Sequence, residues 1–363
     1  MGDSLNVGIV GAGVISAQYL ETIGRLPDLR LAGIADIDRE RAQKVGQQHG
    51  APGMSVEELL SREDVDAVIN LTIPKAHAEV SLAALEAGKG VFVEKPLAAS
   101  FEDGRRMVRS AEQHGVVLGS APDTVLGTGV QTARAVIDAG RIGVPTSATV
   151  TMIRPGHESW HPNPDFYYQP GGGPLFDMGP YYLTSLITLL GPVTKVIGAG
   201  TALRQERVIG SGPRAGEKIP VSTPSHVTGA LVHESGVIST LVMSFDGVST
   251  RAAHIEVQGT EGTLEAPDPN RFEGPVRLSS QMDRWEGLPV AAGYRQAARG
   301  YGLADMFWTG SFSGDPQAGR AQGALGLHVL EIMEGILTAA EQERTVTLST
   351  RAERPASVPL DER

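Results

Sequence analysis

The first third of the chain alternates short apolar runs with longer segments in which apolar residues recur every three or four positions. Buried strands are predicted at Leu5–Val10, Leu29–Ala35, Asp66–Thr72 and Gly90–Val93, and helices are predicted between them. Strands separated by helices form a parallel sheet with helices on both faces. The pattern therefore predicts a doubly wound α/β domain over residues 1–122.

Two helix starts in this region carry local signals. Ser55 and Glu58 have the spacing of a capping box, and Ser100 precedes a second amphipathic segment. Gly115 follows that segment and is expected to end its helix. We therefore expect one helix to begin directly after Ser55 and another directly after Ser100.

The pattern changes after residue 122. A helix is predicted over 129–139, and most of the remaining segments are rich in β-branched residues and joined by turns that contain glycine, which favours an antiparallel sheet. Residues 265–320 have weak periodicity and receive no assignment. A long amphipathic helix (321–342), a last strand (346–348) and a frayed tail from Arg351 are expected to end the chain. Strands are predicted at 146–153, 193–198, 226–232, 237–245, 254–259 and 262–264. Residues 123–363 thus form a predicted α+β domain.

Composition narrows the range of partners. The formal charge is -11 and no basic tract stands out, so neither nucleic acid nor an anionic membrane is expected as a partner. The chain has no cysteine, which excludes disulfides, thiolate catalysis and cysteine-ligated metals. The N-terminus lacks the pattern of a signal peptide, and we identify no uninterrupted apolar stretch as long as a membrane span. We therefore expect a cytoplasmic protein.

A glycine-rich turn follows the first predicted strand and opens a helix. Gly11 and Gly13 would allow a tight turn and the close approach of backbone amides to a pyrophosphate, while Ser16 replaces the third glycine of the usual pattern. Asp36 ends the second strand, where a carboxylate binds the ribose hydroxyls of NAD. The alternative is a tight turn beside a solvated acid.

The charged residues near the end of the second strand bear on the choice between NAD and NADP. Asp36 would repel a 2′-phosphate, so NAD is favoured, although Arg39 and Arg41 are close enough in sequence to make NADP possible.

Two further loops follow predicted strands at the edge of the parallel sheet where ligands bind. One contains Thr72, Pro74 and His77, and the other is Glu94-Lys95-Pro96. Lys95 is one of only six lysines in the chain, so a lysine at this edge suggests a function. The alternative is a surface ion pair between Lys95 and Glu94. The expected cofactor contacts are Gly11, Gly13, Val14, Ile15, Asp36, Ile37, Arg39, Thr72, Pro74, His77, Glu94, Lys95 and Pro96.

The quintet HESWH at residues 157–161 matches the H-E-x-x-H pattern of zinc metalloproteases. That pattern requires an α-helix, and Pro155, Pro162 and Pro164 disfavour one here. We therefore expect no metal site at this quintet.

Several segments resemble the Gfo/Idh/MocA family of dehydrogenases, and they occur in family order along nearly the whole chain. The segments are VGIVGAGVIS, TIPKAHAEVSLAALEAGKGVFVEKPLA, GGGPLFDMGPYYLTSLITLLGPV, IEVQGTEGTLE and ALGLHVLEIMEGI. The resemblance implies an N-terminal Rossmann domain and a C-terminal domain whose open, mainly antiparallel sheet carries the substrate pocket and mediates oligomerisation. It also implies oxidation of a secondary hydroxyl of a sugar, inositol or polyol, or the reverse reaction. The expected assembly is a homodimer or homotetramer.

The resemblance also implies the catalytic residues. Lys95 would reach the reacting oxygen, next to a cis bond to Pro96, and Asp177 and Tyr181 would complete the set, although many relatives have histidine at the position of Tyr181. A phenol with a pKa of about 10 is a poor base at neutral pH. We expect Lys95 to lower the pKa of Tyr181, which relays the proton, while Asp177 holds an adjacent hydroxyl. Alternatively, Tyr181, like Tyr182, merely begins a buried helix and Lys95 alone is the acid and base.

A long loop precedes this segment and contains the HESWH quintet. Its aromatic side chains could stack on a sugar, and its polar side chains could bind the hydroxyls. An interface loop that contacts another subunit is the alternative. The expected substrate contacts are Arg154, His157, Trp160, His161 and Asp177.

Three functions remain open at this point. The first is an NAD-dependent sugar dehydrogenase or reductase. The second is an NAD-dependent glycoside hydrolase that oxidises its sugar transiently, and the third is a sensor that binds the cofactor without turnover.

Overall fold

The computed structural model describes residues 4–363, which divide into two compact units. The first unit runs up to Leu126 and includes Gln296–Leu330, and the second comprises Gly127–Arg295 and Glu331–Arg363. Residues 296–330 thus group with the N-terminal sheet, although the two-domain division proposed from the sequence placed them with the C-terminal part.

The first unit contains a parallel sheet with the strand order β3-β2-β1-β4-β5-β6. Its strands are β1 (Leu5–Val10), β2 (Leu29–Ala35), β3 (Gly53–Met54), β4 (Ala67–Asn70), β5 (Gly90–Val93) and β6 (Leu118–Ser120). This order is that of the Rossmann fold, whose ligands lie beyond the carboxyl ends of the strands. The predicted doubly wound α/β fold is therefore confirmed.

The helices of the described residues are α1 (Ser16–Arg25), α2 (Arg39–Gln48), α3 (Val56–Leu60), α4 (Pro74–Glu86), α5 (Phe101–His114), α6 (Thr128–Asp138), α7 (Gly173–Leu190), α8 (Tyr301–Trp308) and α9 (Gly323–Gln342). The helices predicted after Ser55, after Ser100, over 129–139 and over 321–342 are present within a few residues of their predicted bounds, whereas α8 lies in the stretch 265–320 that received no assignment. The capping box is present, since the amide of Glu58 donates to the Ser55 hydroxyl at 3.1 Å and the amide of Ser55 donates to the Glu58 carboxylate at 2.7 Å. Gly115 ends α5 with φ 63°.

The second unit contains a nine-stranded sheet with the order β16-β15-β14-β13-β7-β12-β11-β8-β17. Its described pairs are antiparallel except β7 with β12, so the predicted mainly antiparallel sheet is confirmed. The strands are β7 (Pro145–Ile153), β8 (Val193–Thr201), β11 (His226–His233), β12 (Ile238–Ser244), β13 (Ile255–Gly259), β14 (Thr263–Ala266), β15 (Val276–Gln281), β16 (Arg284–Leu288) and β17 (Val346–Thr347). A separate hairpin is formed by β9 (Glu206–Val208) and β10 (Lys218–Pro220).

Helix α7 is the core helix of the second unit. It packs against α6 and against β7, β11 and β12. From Gly173 to Leu190 every residue is buried except Asp177, which is half-buried. A helix that is apolar on all sides belongs in a core, so its one carboxylate needs a specific role.

The prediction of a frayed tail is wrong. The amide of Val358 donates to the side-chain oxygen of Gln131 on α6 at 2.9 Å, and the Val358 side chain is buried. Single β-bridges join Ala292 to Pro359 and Tyr294 to Asp361. The hydrogen bond to Gln131, the two β-bridges and the burial of Val358 therefore hold the tail on the second unit.

One described helix, α9, is long and apolar enough to cross a membrane by length and composition alone. No stretch of that kind was predicted from the sequence. In the structure, 61% of the most apolar part of α9 is buried inside the protein, and core helices pass the same test.

Candidate functional site

The glycine turn lies between β1 and α1 in the first unit. Gly11 has φ +100°, and a Cβ there would lie 2.7 Å from the backbone carbonyl of Leu71. A Cβ on Gly13 would meet no atom within 4 Å, so the space outside this residue is open. Ser16 fits as the third small residue, because it is buried and its hydroxyl donates to the carbonyl of Gly13 at 2.7 Å.

A cleft of about 770 Å³ opens beside this turn within the first unit. Its walls come from the loops that follow β1, β2 and β4 and from the starts of α3 and α4. Its lining includes Gly11, Gly13, Asp36, Ile37, Arg39, Arg41, Ser55, Val56, Thr72, Ile73, Ala76, Glu79 and Val80. The cleft thus contains six of the predicted cofactor contacts at the carboxyl edge of the sheet.

The carboxylate of Asp36 accepts four hydrogen bonds from three residues. It accepts from the amides of Ala12 at 2.7 Å and Asp38 at 2.8 Å. The guanidinium of Arg41 donates to both oxygens, at 3.1 and 2.6 Å. Burial opposes ionisation, but the bonds from Arg41, Asp38 and Ala12 outweigh it, so the pKa of Asp36 lies below its ordinary value. Asp36 is therefore an oriented carboxylate at neutral pH.

The two arginines named in the sequence analysis have different positions. Arg39, which was predicted as a cofactor contact, lies in the lining of the cleft and forms an ion pair with exposed Glu58 at 2.9 Å. Arg41, which was named only as making NADP possible, is the one that binds Asp36. Spacing along the sequence did not distinguish the two arginines.

Val14 and Ile37 are almost fully exposed, at 98% and 100%. Val14 lies in the glycine turn, next to Ile15 at the N-cap of α1. Large apolar side chains left in solvent beside a cleft are typical of a ligand site.

The loop after β4 is organised by Asn70, which the sequence analysis did not single out. Its side-chain oxygen accepts from the hydroxyl of Thr72 at 2.7 Å, and its amide nitrogen donates to the carbonyl of His77 and to the hydroxyl of Ser81, both at 3.0 Å. Pro74 is the first residue of α4, where its missing N–H costs nothing. A buried asparagine with its bonds satisfied thus fixes the shape of this predicted cofactor loop.

His77 joins the two predicted cofactor loops. Its Nδ1 lies 2.7 Å from the carbonyl oxygen of Pro96, and its Nε2 lies 3.0 Å from that of Thr72. Burial lowers the pKa of His77 despite these two carbonyl acceptors. His77 is 1% exposed, so the structure places it as a brace behind the loops.

The segment Glu94-Lys95-Pro96 follows β5, and the Lys95–Pro96 bond is cis, as expected. Glu94 is buried; its carboxylate accepts from the Tyr19 hydroxyl at 2.9 Å and from the Lys95 amide at 2.8 Å. Burial, followed by the charge of Glu94, raises the pKa of Tyr19, so this phenol stays a donor. Glu94 is therefore not a solvated surface carboxylate. Glu94 orients the backbone that presents Lys95.

In the second unit, the loop between β7 and α7 contains the HESWH quintet. As expected, the quintet is not an α-helix; only a three-residue 3-10 turn forms, at His157–Ser159. The Nε2 of His157 lies 2.8 Å from the carboxylate of Asp177. Among residues 4–363 no group of three potential ligands is arranged to hold a metal ion.

The remaining predicted substrate contacts lie on the same loop. Trp160 is 59% exposed, and its ring packs against that of His161 at 5.4 Å. Burial is the main cause that lowers the pKa of His161. Arg154 begins the loop directly after β7, where its amide donates to the carbonyl of Ser244. The structure thus gathers the predicted contacts on one segment, with Phe166 as a further exposed ring.

This loop is anchored by a buried charge cluster that the sequence analysis did not find. Arg207 on β9 binds Glu158 at 3.1 Å and also binds Asp246. Tyr168 donates its hydroxyl to Glu158 as well, and Arg207 lies over the Tyr168 ring at 5.1 Å from its centroid. These partners are far apart in the sequence and in short or irregular segments, so no local pattern indicated them.

Asp177 and Tyr181 lie one turn apart on α7, which places their side chains on the same helix face. Tyr181 is 5% exposed. Its neighbour Tyr182 is fully buried, and its hydroxyl lies 2.8 Å from Nδ1 of His254. Tyr182 therefore has the core role that the sequence analysis assigned to it.

Comparisons with known proteins agree with this geometry. The profile described as "Oxidoreductase family, NAD-binding Rossmann fold" matches residues 5–121, and the profile of the GFO/IDH/MocA C-terminal domain matches residues 130–265. The 1,5-anhydro-D-fructose reductase of Ensifer adhaerens is 31% identical over 264 residues, which cover 71% of this chain and 74% of that protein. The chain belongs to the Gfo/Idh/MocA oxidoreductase family.

Solved structures share the fold of this Gfo/Idh/MocA protein. An NAD binding oxidoreductase from Klebsiella pneumoniae superimposes with a TM-score of 0.83 and 22% identity, covering 96% of this chain and 100% of that one. Levoglucosan dehydrogenase in complex with NADH and L-sorbose gives a TM-score of 0.78 and 21% identity, covering 96% and 99%.

The residues of the first unit fit the NAD of this Gfo/Idh/MocA family. Gly13 leaves room outside the backbone for a pyrophosphate, and Asp36 presents an ionised carboxylate in the cleft. The relatives described above are named as a reductase and dehydrogenases or oxidoreductases, so the glycoside hydrolase alternative gains no support from them.

Proposed function

We propose that this protein is a dehydrogenase or reductase that transfers a hydride between NAD and a secondary hydroxyl or ketone of a sugar, glycoside or polyol. The observation that carries the proposal is the cleft of the first unit, in which the oriented carboxylate of Asp36 lies beside the open glycine turn. Bound in this cleft, NAD would supply the hydride acceptor and NADH the donor.

The cofactor is held, in this proposal, by the first unit. The amides of the turn at Gly11 and Gly13 bind the pyrophosphate, and Asp36 binds the ribose hydroxyls. The exposed side chains of Val14 and Ile37 offer apolar contact to the cofactor. Ile15, Arg39, Thr72, Pro74, Lys95 and Pro96 complete the proposed contacts, while His77 and Glu94 support the cofactor loops from behind.

Three side chains are proposed to act on the substrate. The ammonium of Lys95 polarises the reacting oxygen, and Tyr181 relays the proton that leaves the hydroxyl during oxidation. Asp177 accepts a hydrogen bond from the neighbouring hydroxyl and so fixes the reacting carbon. Reduction of a ketone uses the same groups in the opposite direction.

A carbohydrate is the proposed substrate class. The exposed rings of Trp160 and Phe166 offer flat apolar surfaces for the C–H face of a sugar, while Arg154 and His161 offer donors. The name of the Ensifer relative, 1,5-anhydro-D-fructose reductase, supports this class. We further propose a cytoplasmic homodimer or homotetramer that associates through the nine-stranded sheet, which carries exposed Ile197 and Ile238.

The experiment is a substrate screen with purified protein. NADH absorbance is followed with NAD and a panel of sugars, glycosides and polyols, and thermal unfolding is followed with NAD and with NADP. We expect NAD to raise the melting temperature and at least one polyol to yield NADH. Lys95→Ala should abolish turnover, whereas Lys44→Ala, at an exposed lysine on α2, should not. Cofactor binding together with activity that ignores Lys95→Ala would overturn the proposal.

A further inference from the structure

His157 and Asp177 form a hydrogen-bonded pair within the second unit, although they are twenty positions apart. The Nε2 atom lies 2.8 Å from Oδ2, and the two side chains are only 9% and 14% exposed. An ionised carboxylate can only accept hydrogen bonds, so Nε2 must carry the proton of this bond. The carboxylate thereby selects one tautomer of the imidazole.

The other ring nitrogen supports the same tautomer. Nδ1 of His157 is buried and has no hydrogen-bond partner. The ring is enclosed by Tyr167, Phe245 and Trp160, whose centroids lie 4.1, 5.0 and 5.3 Å away. A second N–H in this aromatic enclosure would be an unsatisfied buried donor, which is costly. The enclosure therefore favours the tautomer in which Nε2 carries the proton.

The position of His157 is fixed independently of any substrate. Its sequence neighbour Glu158 is bound by Arg207 and by the Tyr168 hydroxyl, and the carbonyl of Glu158 accepts from the amide of Gly210 at 2.7 Å. Arg207 is almost completely buried and also binds Asp246. The imidazole is therefore presented to α7 by a braced loop rather than by a loose one.

Asp177 is the one half-buried position of an otherwise buried helix, and the proposed function assigns its carboxylate to a substrate hydroxyl. A short side chain on a helix can point its oxygens in several directions, and a charge-assisted hydrogen bond removes that freedom. The bond to Nε2 uses one of about four lone-pair positions of the carboxylate and fixes the direction in which the group points.

We propose that His157 is a positioning residue for the reaction: its Nε2–H holds the Asp177 carboxylate in the orientation that receives the substrate hydroxyl. This inference rests on the proposed function. It assigns His157 to Asp177 rather than to direct contact with the sugar, which was its role in the sequence analysis.

Two amide substitutions separate this role from simple packing. In His157→Gln, the side-chain nitrogen can reach the position of Nε2 and donate to Asp177, whereas in His157→Asn it ends near the position of Nδ1. We expect His157→Asn to lower kcat/KM by about 10- to 100-fold, as for the loss of a hydrogen bond to a charged group, mainly through KM. His157→Gln should recover most of that loss, and the Kd of NADH should be unchanged in both.

Equal loss in the two variants, or no loss in either, would overturn the proposal. Their melting temperatures are measured in parallel, so that unfolding is not mistaken for loss of positioning.

A second measurement does not require a known substrate. In protein labelled with ¹⁵N-histidine, the ring signals of His157 are assigned by their disappearance in His157→Gln. We expect wild-type His157 to be protonated at Nε2, and we expect Asp177→Ala to abolish this preference. A ring protonated at Nδ1, or one that ignores Asp177→Ala, would overturn the positioning role. Failure of every sugar to react would instead count against the proposed function.

Discussion

The guanidinium of Arg41 binds both carboxylate oxygens of Asp36, while two backbone amides bind the same oxygens from the other side. Asp36 therefore faces the cleft as a partly neutralised charge rather than as a bare one. The Asp36 carboxylate therefore repels a 2′-phosphate less strongly while Arg41 is paired with it than it would without Arg41.

The first prediction concerns the choice between NAD and NADP. Removal of Arg41 by Arg41→Ala leaves the Asp36 charge uncompensated, so the ratio of NADPH Kd to NADH Kd should rise by about tenfold, which corresponds to about 1.4 kcal/mol. Asp36→Ala should change the ratio in the opposite direction. The Kd values are measured by quenching of protein fluorescence. Arg62→Ala is the matched control, because Arg62 pairs with Asp64 and does not line the cleft; an equal shift there would contradict the role of Arg41.

The second prediction is a pH dependence of stability. The pKa of folded Asp36 is lowered, so its contribution to stability is fully present above the ordinary pKa of about 3.9 and is lost as the pH falls through the lowered value. The difference in unfolding free energy between wild type and Asp36→Asn should be constant from pH 5 to pH 7, because the Asp36 carboxylate stays ionised throughout that range. It should shrink below about pH 4. Urea unfolding at each pH measures it, and a difference that grows in acid would contradict the assignment.

The third prediction separates two glycines of one turn. Gly11→Ala places a Cβ against the backbone of Leu71 at positive φ, so it should destabilise the protein by about 1–3 kcal/mol. Gly13→Ala meets open space and should leave the unfolding free energy nearly unchanged, while it weakens NADH binding by obstructing the pyrophosphate. Thermal unfolding and NADH titration on both variants check this. A fully stable Gly11→Ala protein would contradict the role of this turn.

The fourth prediction concerns the loop anchor. Arg207→Ala removes a buried cation and leaves the partly buried carboxylates of Glu158 and Asp246 without it. Loss of one partner costs about 3–5 kcal/mol in fully buried pairs, so we expect a smaller loss here, measured by urea unfolding. We also expect Trp160 to become more mobile, visible as a red shift of tryptophan emission. Lys218→Ala on β10, the partner strand of the same hairpin, is the control, because Lys218 pairs with exposed Glu206 and its loss should not be measurable.

Local patterns explain which parts could be predicted from the sequence. β1, the glycine turn and α1 are contiguous, and each has a strong periodic or steric signal, so the cofactor side of the site was predicted with its acid, Asp36. The hairpin of β9 and β10 was not predicted, because its strands are three residues long and largely exposed. The bond between His157 and Asp177 was not predicted either. It joins an irregular loop to a helix, and local sequence patterns do not specify which loop residue packs against which helix residue.

The last prediction decides between the two roles considered for the tyrosines of α7. If Tyr181 relays the proton, Tyr181→Phe should lower kcat by about 10²- to 10⁴-fold, the usual range for loss of a general acid or base, and should leave NADH binding intact. Tyr182→Phe is the matched variant one residue away: it removes the hydrogen bond between the buried Tyr182 ring and exposed His254 and should affect stability rather than kcat. Steady-state kinetics and thermal unfolding of both variants provide the comparison. Full activity of Tyr181→Phe would leave Lys95 as the acid and base, because a phenylalanine at position 181 retains the packing of the buried helix and lacks only the hydroxyl.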